Sequence, residues 1–93
     1  MFTHVFFDCD STLTKIEGID ALAELAGVGE EVKELTRQAM EGELSLEEVW
    51  KTRLDMIRPT PAQIEIVARR CIAELTPGVR ETLNRLHEEG VAT

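Results

Sequence analysis

Long apolar runs are missing from this chain. No stretch approaches the roughly 20 consecutive apolar residues that a membrane-spanning helix needs. The opening Met1-Phe2-Thr3-His4 also lacks the basic segment and apolar core of a secretory signal, so the expectation is a cytoplasmic chain. Cysteine is scarce: Cys9 and Cys71 stand far apart, match neither a zinc spacing nor a disulfide framework, and read as two reduced, buried thiols. His4 and His87 are isolated, with no metal-ligand partner at workable spacing. Aromatics make up only 4% and prolines number three, and there is no internal repeat or low-complexity linker. With 43% hydrophobic and 30% charged residues, the composition is that of a globular domain and argues against disorder.

Cations are also in deficit. Ten Lys and Arg face eighteen Asp and Glu, a net charge of −8, which disfavours nucleic acid, anionic membrane surfaces and anionic small molecules. For a phosphate ester to bind, a metal ion or local cations would have to reverse the field at the site. The length of 93 residues fits one domain with a modest core, burying about two-thirds of its unfolded surface.

What is present begins with Val5-Phe6-Phe7, a β-type run of the kind buried on both faces, which stops at acidic and hydroxyl residues. From Glu17 the pattern turns helical. Ile19, Leu22, Ala23, Leu25 and Ala26 form a first stripe closed by Gly27; Val32, Leu35, Thr36, Ala39 and Met40 form a second, ended by Gly42. Ser45 with Glu48 spells a capping box for a third helix, which Pro59 terminates. Thr60-Pro61 with Gln63 opens a fourth, whose face is Ile64, Val67, Ala68, Cys71, Ile72 and Leu75. Thr76-Pro77 opens a fifth, bearing Val79, Leu83 and Leu86, and Gly90 closes it before Val91-Ala92-Thr93, the start of another strand. A strand, five helices and a strand stub leave unpaired edges that invite pairing with a further strand or a second chain. The order reads as the front portion of a longer α/β protein.

The residues suited to chemistry follow the first strand. Asp8 and Asp10, two apart, project to one side of an extended chain while Cys9 points away. Such a pair can share a divalent metal and leave one oxygen free; Asp8 suits a nucleophile on phosphorus, and Asp10 a general acid and then base. In open α/β sheets ligands bind beyond the carboxyl ends of strands. The same residues also suit a plain acidic turn, with Asp10 or Ser11 bonded to nearby main-chain N–H groups. A calcium loop is excluded, because Leu13 stands where glycine is needed and Ile19 where glutamate is needed. On the third helix, Arg53 falls within the arc of Leu46, Val49, Trp50, Leu54 and Ile57. It is either a cation snorkelling to the rim of the stripe or a guanidinium kept for a planar carboxylate. Glu17 suits a helix N-terminus for dipole reasons alone, and Met40 and Trp50 read as core.

The string Phe6-Phe7-Asp8-Cys9-Asp10-Ser11-Thr12-Leu13 resembles the first motif of the haloacid dehalogenase (HAD) superfamily of phosphohydrolases. With Glu17-Gly18-Ile19-Asp20, Ala39-Met40-Glu41-Gly42, Arg53 and Thr76-Pro77-Gly78, the chain is similar to the phosphoserine phosphatases of that superfamily over almost its whole length. The resemblance implies an α/β fold with a HAD-like, Rossmann-type core, here mostly α. Residues 1–15 and 76–93 would supply the first core strand, one core helix and the start of a second strand; residues 16–75 would form a four-helix cap bundle. It implies hydrolysis of L-phosphoserine, in serine biosynthesis, through an aspartyl-phosphate on Asp8, with Mg²⁺ held by Asp8 and by the Asp10 main-chain carbonyl. Glu17 would meet the substrate amino group, Arg53 its carboxylate, and Met40 would line the pocket.

Two departures qualify this. Leu46 stands where these enzymes commonly carry phenylalanine, which touches substrate preference. The Ser or Thr that holds phosphate, a later lysine and later acidic metal ligands do not occur, Thr93 being too early, so the 93 residues alone are expected to be inactive. The competing readings are a small acidic helical binding or regulatory module without catalysis, and a HAD phosphatase for another small phosphomonoester.

Overall fold

The computed structural model describes the whole chain, Met1–Thr93, with five helices: α1 (Gly18–Leu25), α2 (Gly29–Met40), α3 (Leu46–Ile57), α4 (Pro61–Ala73) and α5 (Val79–Glu88). The chain divides into two units, one of Met1–Glu17 with Arg70–Thr93, the other of Gly18–Arg69.

In the helical unit, α1 packs on α2 and α2 on α3. Ala23 and Val32 are fully buried and Ile57 nearly so, with Ile19, Leu22, Ala26 and Val28 packed around them. The joint between α1 and α2 is short because Gly27, at φ +78°, lets the chain reverse. Its N–H donates to the Glu24 carbonyl at 3.1 Å and that of Val28 to Ala23 at 2.9 Å, satisfying carbonyls that the helix end would otherwise orphan. The same paired closure recurs at Gly42 and Gly90. The start of α3 is capped as its sequence indicates: the Glu48 N–H donates to Ser45 Oγ at 3.2 Å, and the Ser45 N–H to the Glu48 carboxylate at 3.3 Å. Thr60 and Gln63 exchange the equivalent pair at α4, at 3.0 and 3.2 Å.

The other unit is held by two sets of main-chain bonds. The N–H of Val5 donates to the Ala92 carbonyl at 2.9 Å and that of Ala92 to Thr3 at 3.0 Å, a single parallel bridge between His4 and Ala92. The run Val5–Phe7 therefore enters no ladder longer than one residue, and the expected strand buried on both faces is not realised. Phe6 is 93% exposed and Phe2 80%, because no sheet or helix within these residues covers them. The second set joins Lys15 to Glu74 at 3.0 Å and Thr76 to Leu13 at 2.9 Å, around an antiparallel bridge between Thr14 and Leu75.

Thr14 is the one buried polar residue, 1% exposed, and its hydroxyl lies 2.8 Å from the Cys71 carbonyl and 3.3 Å from that of Glu74. It thus serves the Cys71 carbonyl in the last turn of α4, where the helix end leaves carbonyls without an intrahelical partner, and lies near the Glu74 carbonyl just beyond that helix. Thr14→Val keeps the shape and removes the donor. It is expected to lower the unfolding free energy by roughly 1–3 kcal/mol, the cost of an unsatisfied buried carbonyl. Thr14→Ser, which keeps the donor, should lose less; urea denaturation of the three proteins side by side is the measurement.

Candidate active site

The acidic loop is wound around one atom. The carbonyl oxygen of Cys9 receives the N–H groups of Thr12 at 3.2 Å, Leu13 at 2.9 Å and Thr14 at 3.2 Å. Ser11 takes a left-handed conformation, φ +59°, to make that tight reversal. The loop is pinned from the α5 side as well, where the Thr76 hydroxyl donates to the Thr12 carbonyl at 2.6 Å.

Asp8 and Asp10 are carried on this turn, Asp8 exposed and Asp10 partly buried. The Asp8 Oδ1 accepts from the Cys9 N–H at 2.9 Å, which fixes the carboxylate and leaves its Oδ2 without a hydrogen bond. One oxygen is thereby held and the other stays open to a ligand. No group of three or more His, Cys, Asp or Glu side chains converges to hold a metal. The two aspartates offer hard oxygen donors for an open site completed by ligand and water, and no closed cage.

Glu17 accepts a hydrogen bond from the Ser11 hydroxyl, so it is tied back to the same loop. Cys9 is exposed, contrary to its expected burial, since its main chain sits at the inside of the turn and its side chain is turned out; Cys71 is partly buried, and both thiols are free. What burial Cys9 has, with the charges of Asp10, Cys71 and Asp8, pushes its thiol above the ordinary range. It therefore stays protonated at neutral pH and is a poor nucleophile and a poor metal ligand.

Arg53 and Met40 belong to the helical unit. The Arg53 guanidinium carbon lies 5.2 Å from the centroid of the Trp50 ring, its Nη1 is 3.4 Å from Thr36 Oγ1, and its buried Nε has no partner. Arg37, Arg69 and Arg85 each pair with a glutamate of their own segment, whereas half-buried Arg53 pairs with no carboxylate. Met40, at the end of α2, is 85% exposed, and so is most of Leu46. Trp50, expected in the core, is 53% exposed, because α2 covers only part of the α3 face. An apolar cavity of about 130 Å³, lined by Phe7, Leu13, Pro77, Val79 and Leu83 among others, lies beside the loop in the first unit. The sequence reading did not single out Cys9 as a main-chain hub or Thr14 as a cap.

An acidic loop after an edge segment that pairs in parallel, followed by helices, is the arrangement of an α/β architecture. The chain belongs to the haloacid dehalogenase-like hydrolases, whose family profile matches residues 2–93. It is similar to the phosphoserine phosphatase of Bos taurus, 42% identical over 87 residues, which cover 94% of this chain and 39% of that protein. Among solved structures it resembles a HAD family hydrolase of Salmonella enterica serovar Typhi, with a TM-score of 0.86, 32% identity, and coverage of 95% of this chain and 30% of the other. It also resembles a phospho-aspartyl intermediate analogue of phosphoserine phosphatase, with a TM-score of 0.72, 38% identity, and coverage of 97% and 43%. The chain spans between 26% and 40% of the length of the curated relatives it matches. No helix is long and apolar enough to cross a membrane.

The Cys9 environment gives a direct check on the loop. Asp10→Asn removes one of the charges that raise the thiol, so the pH midpoint for alkylation of Cys9 should fall. Its labelling by iodoacetamide near pH 8 should then quicken, while that of Cys71 changes less. Peptide mass mapping after timed labelling distinguishes the two cysteines.

Proposed function

We propose that this chain supplies the nucleophile and the substrate-closing helices of a magnesium-dependent phosphomonoesterase that hydrolyses L-phosphoserine, a cytoplasmic step of serine biosynthesis. The observation that carries the reading is the Asp8 carboxylate, with Oδ1 fixed by the Cys9 N–H and Oδ2 free, on a loop wound about a single carbonyl. The names of the relatives support it, one a phosphoserine phosphatase and another an aspartyl-phosphate analogue of such an enzyme. Magnesium suits the donor set, since it takes one or two protein carboxylates together with substrate phosphate and retained water. Asp8 and the Asp10 main-chain carbonyl would hold it, and when bound it supplies the positive charge that a chain of net −8 lacks near a phosphate ester.

The protein's own residues then divide the work. Asp8 attacks phosphorus and becomes the acyl phosphate as the serine oxygen departs; Asp10 gives that oxygen its proton, then takes one from the water that cleaves the aspartyl-phosphate. Residues 16–75 act as the cap. Within it Arg53 receives the substrate carboxylate on its planar fork and Met40 lines the pocket. Glu17 receives the substrate ammonium, exchanging the Ser11 hydroxyl for it.

A chimera tests this: residues 1–93 replace the matching segment of the bovine enzyme. It is expected to hydrolyse L-phosphoserine with magnesium, while Asp8→Asn abolishes turnover and Asp10→Asn lowers it by roughly 10²–10⁴-fold, the usual worth of a general acid–base group. Unchanged turnover in Asp8→Asn would refute the assignment. An inactive chimera that folds would favour a binding module, and a preference for other phosphomonoesters would redirect the substrate.

A further inference from the structure

Trp50 and Arg53 lie one turn apart on α3, and a helical side chain leans toward the N-terminus of its helix, so Arg53 lies back over the turn that carries Trp50. The contact is a cation over an aromatic face, 5.2 Å from guanidinium carbon to ring centroid. The indole gains little from burial where it stands, being 53% exposed. The other polar contact of the guanidinium is weak: Nη1 lies 3.4 Å from Thr36 Oγ1, at the long limit of a hydrogen bond. That hydroxyl already donates to the Val32 carbonyl at 3.0 Å, so it offers Arg53 only a lone pair. No acid neutralises the group, although the chain has eighteen Asp and Glu and pairs Arg37 with two of them. A long, flexible side chain in that position would otherwise lose its order to rotamer entropy.

We infer that Trp50 is a positioning residue for substrate recognition: its exposed indole face holds the Arg53 guanidinium in place without consuming a donor, leaving the Nη edge for a ligand carboxylate. A carboxylate in the same position would hold the arginine equally well and would occupy the fork. An aromatic face holds it through the ring quadrupole and takes up no donor. Thr36 assists from α2 as the acceptor of one Nη1 hydrogen, which leaves the remaining Nη hydrogens for a ligand. This rests on the reading that Arg53 takes the substrate carboxylate.

The test compares two ligands that differ only in that carboxylate, O-phospho-L-serine and O-phosphoethanolamine. The 93-residue chain is titrated with each in the presence of magnesium, and affinities are read from NMR chemical shifts. The wild type is expected to favour phosphoserine. Trp50→Leu should lower the ratio of the two affinities by about two- to fivefold, the span of a partly exposed cation–π contact, and Trp50→Phe should restore most of it. Arg53→Ala should abolish the preference, and in that background Trp50→Leu should change the ratio no further. A ratio insensitive to Trp50→Leu, with Arg53→Ala still abolishing the preference, overturns the role of Trp50 alone. Equal affinities in the wild type, no binding of either ligand, or a preference that survives Arg53→Ala, overturns the reading of Arg53 and the role of Trp50 with it.

Discussion

A carbonyl oxygen has two lone pairs, and that of Cys9 receives three main-chain N–H groups, from Thr12, Leu13 and Thr14. The acidic loop has no other internal scaffold of comparable density. Everything chemical in the first unit depends on it: the placement of Asp8 and Asp10, the left-handed turn at Ser11, and the reach of the Ser11 hydroxyl to Glu17. Because the hub is main chain, the side chain at position 9 is free to vary without unwinding the turn. The hub also accounts for a cysteine that is exposed and at the same time poorly reactive, since the turn that displays the thiol partly desolvates it and sets two carboxylates beside it.

The helices were legible because their signals are local. Ser45 with Glu48, and Thr60 with Gln63, form their capping pairs where the spacing placed them, and Gly27, Gly42 and Gly90 close their helices in the left-handed conformation. A cap is a bond between residues three apart, so a few letters contain both partners. The strand was not legible in the same way. Val5-Phe6-Phe7 has the composition of a buried strand, yet burial and pairing are properties of neighbours, and these residues give only the Val5 N–H to the bridge that His4 makes with Ala92. Trp50 shows the same limit: the helical arc told which side it shares with Val49 and Ile57 but not how far α2 would extend over it. Thr14 was overlooked because its partners, Cys71 and Glu74, lie some sixty residues away.

Charge is distributed with some economy. Most of the acids stand on exposed helix faces, and Arg37, Arg69 and Arg85 are bound to them. Such exposed pairs add little to stability, because water and salt screen them. Their effect here is on the field, since they occupy cations that would otherwise be available to ligands; of the arginines that pair with no carboxylate, Arg53, Arg58, Arg70 and Arg80, only Arg53 is half-buried.

The bridge between Thr14 and Leu75 has a consequence for how this architecture can change. The chain leaves the first unit after Glu17 and, on its return, meets Thr14 through hydrogen bonds at Cys71 and Glu74 and a bridge at Leu75. The intervening segment begins and ends at one stapled point, which makes it a cassette. Lengthening such an insert costs only about 0.6 kcal/mol of closure entropy per doubling. Its helices can therefore be rebuilt or exchanged while the junction, and the loop wound on Cys9 next to it, stay in register. The helical segment and the acidic loop can then drift at separate rates within one polypeptide.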